Sequence, residues 1–173
     1  MLNVSRIESG RLTLQKKDVQ IVPLIDKVVT ELVPRAQQLG LRLSFEGPAN
    51  VASVKADPER IEQVLINLIG NSLKFTPPGG SVAVNLAPRE KDVLVEVADN
   101  GKGMNEEVKA RLFQKFATTG SSYLHKQEAQ GTGLGLYLSK SLIEMHGGKM
   151  WATSDGENKG SRFNFTLPYN SGH

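Results

Sequence analysis

Four short blocks carry groups suited to holding a charged ligand: Asn67-Leu68-Ile69-Gly70-Asn71, Asp99-Asn100-Gly101-Lys102-Gly103, Leu112-Phe113-Gln114-Lys115-Phe116 and Gly131-Thr132-Gly133-Leu134-Gly135-Leu136. An amide such as Asn71 offers a neutral oxygen to a hard cation of the magnesium kind, which binds through one or two protein oxygens and keeps several waters. Lys74, just under one turn further on, can aim an ammonium at the same anions. Asp99 ends the apolar run Val93 to Ala98, and an ionised carboxylate only accepts hydrogen bonds, so it suits an exocyclic amino group such as that of adenine. The glycines from Gly131 to Gly135 open into an apolar helical pattern, where free backbone N–H groups favour phosphate. A metal ligand, an adenine reader, a flap and a phosphate cradle are the parts of an ATP site.

Each block has a plainer reading. Gln63, Asn67, Asn71 and Lys74 fall in one narrow sector of a helix and could be a solvated face. The sector is thin, however, and amides are poor choices for exposure alone. Asp-Asn-Gly is common turn chemistry. Phe113 and Phe116 could simply be core, although their place at the start of a long polar segment suits the anchor of a lid. The last block is neither a P-loop nor a dinucleotide fingerprint, because no strand precedes it and neither glycine spacing is met. His146, before Gly147-Gly148, reads as a structural cap, while His125 lies in the polar segment and His173 ends the chain.

Positioning these groups requires a folded scaffold, and 173 residues with 39% hydrophobic and 23% charged side chains supply one. The net charge of +3 is spread among interleaved acids and bases, so no nucleic-acid patch is expected. The absence of cysteine excludes disulfides and thiolate metal sites. No apolar run approaches the roughly 18 residues of a membrane span.

Residues 2 to 12 read as the tail of a helix ending near Gly10. Asp18 to Ile21 reads as a short strand, and Pro23 as the opening of a helix that stops before Gly40. Leu41 to Phe45 and, more weakly, Val51 to Val54 read as strands. Asp57-Pro58 caps a helix from Pro58 to Phe75, ended by Pro77-Pro78-Gly79-Gly80. Strands are expected over Ser81 to Ala87 and Asp92 to Ala98, and a short helix over Asn105 to Phe113. Ala117 to Gln130 reads as a long mobile loop. A helix from Leu134 to His146 and a hairpin, Lys149 to Thr153 with Ser161 to Leu167, close the chain. Interleaved helices and strands without a strict βαβ rhythm predict an α/β two-layer sandwich, a mixed sheet of about five strands with three main helices on one face.

The order and spacing of the four blocks resemble the N, G1, F and G2 boxes of the catalytic ATP-binding domain of bacterial sensor histidine kinases, a Bergerat fold, over about residues 18 to 168. The resemblance implies ATP and Mg²⁺ as cofactors, with Asn71 as the metal ligand. It implies Asn67 and Lys74 beside the phosphates as the catalytic pair, and Phe75 near the adenine. Asp99 would bind the adenine amino group, with Gly101, Gly103 and Met104 shaping that wall and Phe113 at the lid. Gly131, Thr132, Gly133, Leu134, Gly135 and Leu136 would wrap the phosphates. Residues 1 to 17 resemble the end of a dimerisation and phosphoacceptor helix with its linker, and 169 to 173 a flexible tail.

The implied partners are the phosphoacceptor helices of a homodimeric parent kinase and a downstream response regulator. The implied place is the cytoplasm, in a parent that can be membrane-anchored, with no membrane contact by this domain. The family's phosphoacceptor histidine motif does not occur here, so autophosphorylation within the chain is not expected. Related ATPases of the fold carry a glutamate base where Asn67 stands, and an amide cannot act as a base. That residue argues for a kinase over the alternatives, a Bergerat ATPase or nucleotide-gated switch, or a serine kinase of the anti-sigma type.

Overall fold

The fold is described from a computed structural model for residues 13–113 and 135–169. Its strands are β1 (Lys17–Val19), β2 (Arg42–Glu46), β3 (Val54–Ala56), β4 (Ser81–Pro88), β5 (Asp92–Asp99), β6 (Met150–Thr153) and β7 (Ser161–Pro168). The helices are α1 (Ile21–Gln38), α2 (Pro58–Phe75), α3 (Glu106–Arg111) and α4 (Gly135–Met145).

The main sheet has the order β2-β4-β5-β7-β6, with β2 parallel to β4 and the remaining pairs antiparallel. Alternation decides its faces in β4 and β5, while β7 buries Asn164 and Thr166 as well. Val82, Val84 and Leu86 of β4, Val93, Val95 and Val97 of β5, and Phe163, Phe165 and Leu167 of β7 are all buried on one side. Helices α1, α2 and α4 pack against that side, which is the expected two-layer sandwich. A second, two-stranded sheet pairs β1 with β3, and Val54 bridges on to Tyr169. No described helix is long and apolar enough to cross a membrane.

Helix α2 spans the predicted residues, and its cap works as anticipated. The Asp57 carboxylate accepts from the Glu59 N–H at 3.2 Å, with Pro58 following at the first helical position. Ile61, Val64, Leu65, Leu68, Ile69 and Leu73 are buried, each contributing about 2 kcal/mol of transfer free energy. The helix is held by this apolar surface, which leaves its polar stripe for other contacts.

Three expectations shift. The first strand runs Lys17–Val19 instead of Asp18 to Ile21, because it pairs with β3 and Ile21 already opens the helix. Helix α1 starts at Ile21 rather than at Pro23, because the first four N–H groups of a helix have no intrahelical partner and a proline is free to sit in the first turn. The third strand runs Val54–Ala56 instead of Val51 to Val54, its place fixed by pairing with Val19 and by the bridge to Tyr169.

Candidate functional site

Helices α2 and α4 lie antiparallel, and two hydrogen bonds, one buried and one partly buried, fix their alignment. At one end the Asp57 N–H donates to His146 Nε2 at 3.0 Å; midway the Asn67 amide donates to the Ser139 hydroxyl at 3.1 Å. Because Nε2 accepts, the imidazole proton sits on Nδ1, which donates to the Leu142 carbonyl at 2.6 Å. Burial lowers the His146 pKa, assisted by Lys16 and opposed by the Leu142 carbonyl and the Asp57 charge. The Asp57 carboxylate also accepts from the Gln15 N–H at 3.0 Å. His146 is therefore a clamp between two helices as well as the cap expected of it. The alignment sets Gly135, the first residue of α4, opposite the Asn71 to Lys74 end of α2.

Strand β5 delivers Asp99 to the same end of the layer, its backbone paired with Ser161 and Val82. Asp99 Oδ1 accepts from the Gly101 N–H at 2.9 Å and from the Ser161 N–H at 3.2 Å. No described residue hydrogen-bonds to Oδ2. Burial pushes the Asp99 carboxyl above the ordinary carboxylate value, against the stabilising pull of the Gly101 N–H, the Ser72 hydroxyl and the Ser161 N–H.

The loop after Asp99 presses closely on α2. Lys102 N–H donates to the Phe75 carbonyl at 3.2 Å, and a Cβ on Gly101 would lie 2.5 Å from that same oxygen. Only glycine fits there. Gly103 has φ +69° and faces the Gly156 to Lys159 turn, where a side chain would collide with the Gly156 carbonyl. Met104 is 6% exposed, and its N–H is held by Ser154 Oγ at 3.0 Å. Phe75, Asp99, Gly101, Gly103 and Met104 thus form one continuous wall.

The polar stripe borders this wall. Asn67 and Asn71 are partly buried, and Lys74 is exposed with its ammonium 5.8 Å from the Phe75 ring centroid. The Asn71 amide makes no hydrogen bond among the described residues. Phe113 approaches α4, where the Lys140 ammonium lies 5.3 Å from its ring centroid. Leu136 packs at the edge of the core. Gly131, Thr132, Gly133 and Leu134, the lid from Ala117 to Gln130 and residues 1 to 12 lie outside the described residues. Ser72, Ser139 and Ser161 join the site unforeseen. For Ser139 and Ser161 the signal is sheet register and helix pairing, which local sequence does not display.

A half-wrapped sheet, an acidic strand end and an amide-bearing helix define a nucleotide-binding domain of the Bergerat type. The chain belongs to the histidine kinase-, DNA gyrase B- and HSP90-like ATPase family, whose pattern matches residues 56–171. Within that family it is a catalytic ATP-binding domain of the sensor histidine kinase kind. The sensor protein KdpD of Clostridium acetobutylicum is 35% identical over 170 residues, 97% of this chain and 18% of KdpD. The adaptive-response sensory kinase SasA of a Synechococcus strain is 33% identical over 169 residues, 97% of this chain and 44% of SasA. The chain therefore spans less than half the length of either relative. Among solved structures, the catalytic domain of histidine kinase ThkA superposes with TM-score 0.77 at 30% identity, covering 90% of this chain and 96% of that one. Full-length ShkA in complex with AMPPNP superposes with TM-score 0.83 at 27% identity, covering 97% of this chain and 34% of ShkA.

Proposed function

We propose that this domain binds ATP with Mg²⁺ and donates the γ-phosphate to a histidine on a dimerising helical domain, and that a response regulator receives it next. The observation that carries the reading is Asp99, whose Oδ1 is committed to two backbone donors while Oδ2 is left for an amino group. Asn71 fits a hard cation by donor chemistry: a neutral, partly buried oxygen with no hydrogen bond among the described residues. Bound there, Mg²⁺ would neutralise phosphate charge. Lys74 would add an ammonium to the same phosphates, and the start of α4 its free N–H groups. Asn67, tied to Ser139, would hold the two helices in register beside them rather than activate water. In phosphoryl transfer such positioning and charge neutralisation are most of what a protein does. The ATP requirement puts the domain in the cytoplasm. ThkA has been solved in complex with its response regulator TrrA, and that structure superposes here with TM-score 0.77 at 27% identity.

Labelled ATP tests the reading. The chain alone should release negligible phosphate and carry no acid-labile label. Mixed with a separate dimerisation domain bearing its histidine, it should label that partner only. Steady ATP hydrolysis by the chain alone, above that of Asn71→Ala, would instead support a Bergerat ATPase.

A further inference from the structure

Ser72 is the residue of α2 that the polar stripe does not account for. It lies one position beyond Asn71, is 1% exposed, and its Oγ is buried with no hydrogen-bond partner among the described residues. A buried hydroxyl without a partner is costly, and a leucine or alanine would satisfy the core at this position. Its carbonyl accepts from the Thr76 hydroxyl at 2.6 Å. Thr76, whose hydroxyl holds the Ser72 carbonyl, lies against Gly101, whose N–H bonds the Asp99 carboxylate, so Ser72 sits on the Asp99 side of α2, where its hydroxyl favours the charged carboxylate.

Asp99 has a division of labour to maintain. Oδ1 is fixed by Gly101 and Ser161 on the loop and β7 sides, and neither donor comes from α2. A carboxylate held through one oxygen can still swing about that oxygen. A donor from α2 would stop the swing.

We propose that Ser72 is a positioning residue for base recognition: when nucleotide is bound, its hydroxyl donates to Asp99 and fixes the carboxylate in the orientation that meets the adenine amino group. The inference rests on Asp99 being the adenine acceptor. A hydroxyl is the right group for the task, because its proton rotates freely and needs only a small side-chain turn to reach a neighbouring oxygen. Its burial keeps water from competing for the same carboxylate oxygen. The consequence is selectivity, since a correctly oriented carboxylate rewards a purine that carries an amino group and gives nothing to one that does not.

Two nucleotides separate this role from packing: ATP, and purine riboside 5′-triphosphate, which lacks the amino group. Affinities for both are measured by calorimetry at constant magnesium on the whole chain. The parent should prefer ATP by about tenfold or more, the range for a hydrogen bond to a charged group. In Ser72→Ala that preference should fall by about threefold. Ser72→Cys, similar in size but a weak donor, should fall between them, and it stands in for the alanine variant if the latter does not fold. The ATP preference of Ser72→Ala should also collapse at a higher pH than the parent's, because Asp99 has lost a donor to its charged form. An unchanged preference and pH midpoint in a folded Ser72→Ala would overturn the proposal. A parent with no preference for ATP would instead overturn the assignment of Asp99 beneath it.

Discussion

The two sides of the site are built on opposite principles. On the side proposed to hold adenine, most backbone groups of the loop after Asp99 are tied. Lys102 N–H bonds Phe75, Met104 N–H bonds Ser154, and Gly101 and Lys102 carbonyls accept from Gly160 and Asn158. Ser154 Oγ in turn donates to the Gly160 carbonyl at 2.6 Å, locking the facing turn. On the side proposed for the phosphates, Asn71 makes no hydrogen bond among the described residues and Lys74 is exposed. A rigid wall suits a flat, uncharged ring, for which shape and one acceptor must be ready in advance. A polar, solvent-facing stripe suits phosphates and a hydrated cation, whose charges complement it. Pre-organisation is concentrated where the ligand has least charge to contribute.

Glycine substitutions should expose this difference most strongly. Gly101→Ala forces a Cβ to within 2.5 Å of the Phe75 carbonyl and 2.9 Å of Thr76 Oγ1. It should cost about 3 kcal/mol of stability in thermal or denaturant unfolding and displace the wall from α2, with ATP binding lost. The same change at Gly70 should act in the opposite sense. Gly70 is exposed in the interior of α2 with nothing within 4 Å of an added Cβ, so alanine should stabilise by up to about 1 kcal/mol. Equal losses at both positions would deny the contrast.

A smaller effect should come from the His146 clamp, remote from both walls. Nε2 must stay unprotonated to accept from Asp57, and burial lowers its pKa. The unfolded chain therefore binds the proton more readily than the native one, and stability rises with pH through this range. The contribution is complete above the ordinary histidine value of about 6.5 and is lost as pH falls from there towards the lowered native value. Its full size should be about 1 kcal/mol, one neutral hydrogen bond. In His146→Gln the slope of melting temperature between about pH 5 and 7.5 should flatten. Asp99, with its raised carboxyl, acts in the opposite sense at the acid end but is common to both proteins and cancels in their difference. A slope identical in parent and variant would remove His146 from the account.

The sequence made legible what is decided locally. Helix α2 runs from Pro58 to Phe75 as predicted because an Asp-Pro cap, a dense apolar run and a Pro-Pro-Gly-Gly stop all act within the segment. Strands β4 and β5 follow from alternation, and Asp99 at a strand end followed from the apolar run before it. What depends on distant pairing was not visible. β3 moved because β1 and Tyr169 select its register, and Pro23 does not mark the start of α1, since any first-turn position tolerates it. The bonds from Asn67 to Ser139 and from Asp57 to His146 join residues 72 and 89 positions apart. Ser72 was passed over because its neighbours Asn71 and Lys74 matched a polar stripe and it did not. A serine on an apolar face carries no periodic signal.

The proposed contrast between a prepared adenine wall and an open phosphate side is tested most directly by titrating ATP into three proteins, with and without magnesium, in a calorimeter. Asp99→Asn should lose about 2 kcal/mol of affinity under both conditions, because the carboxylate acts on the base alone. Asn71→Ala should match the parent without magnesium and fail to gain affinity when magnesium is added. Unchanged ATP affinity in a folded Asp99→Asn, or magnesium titrations of Asn71→Ala that overlap the parent's, would contradict the account.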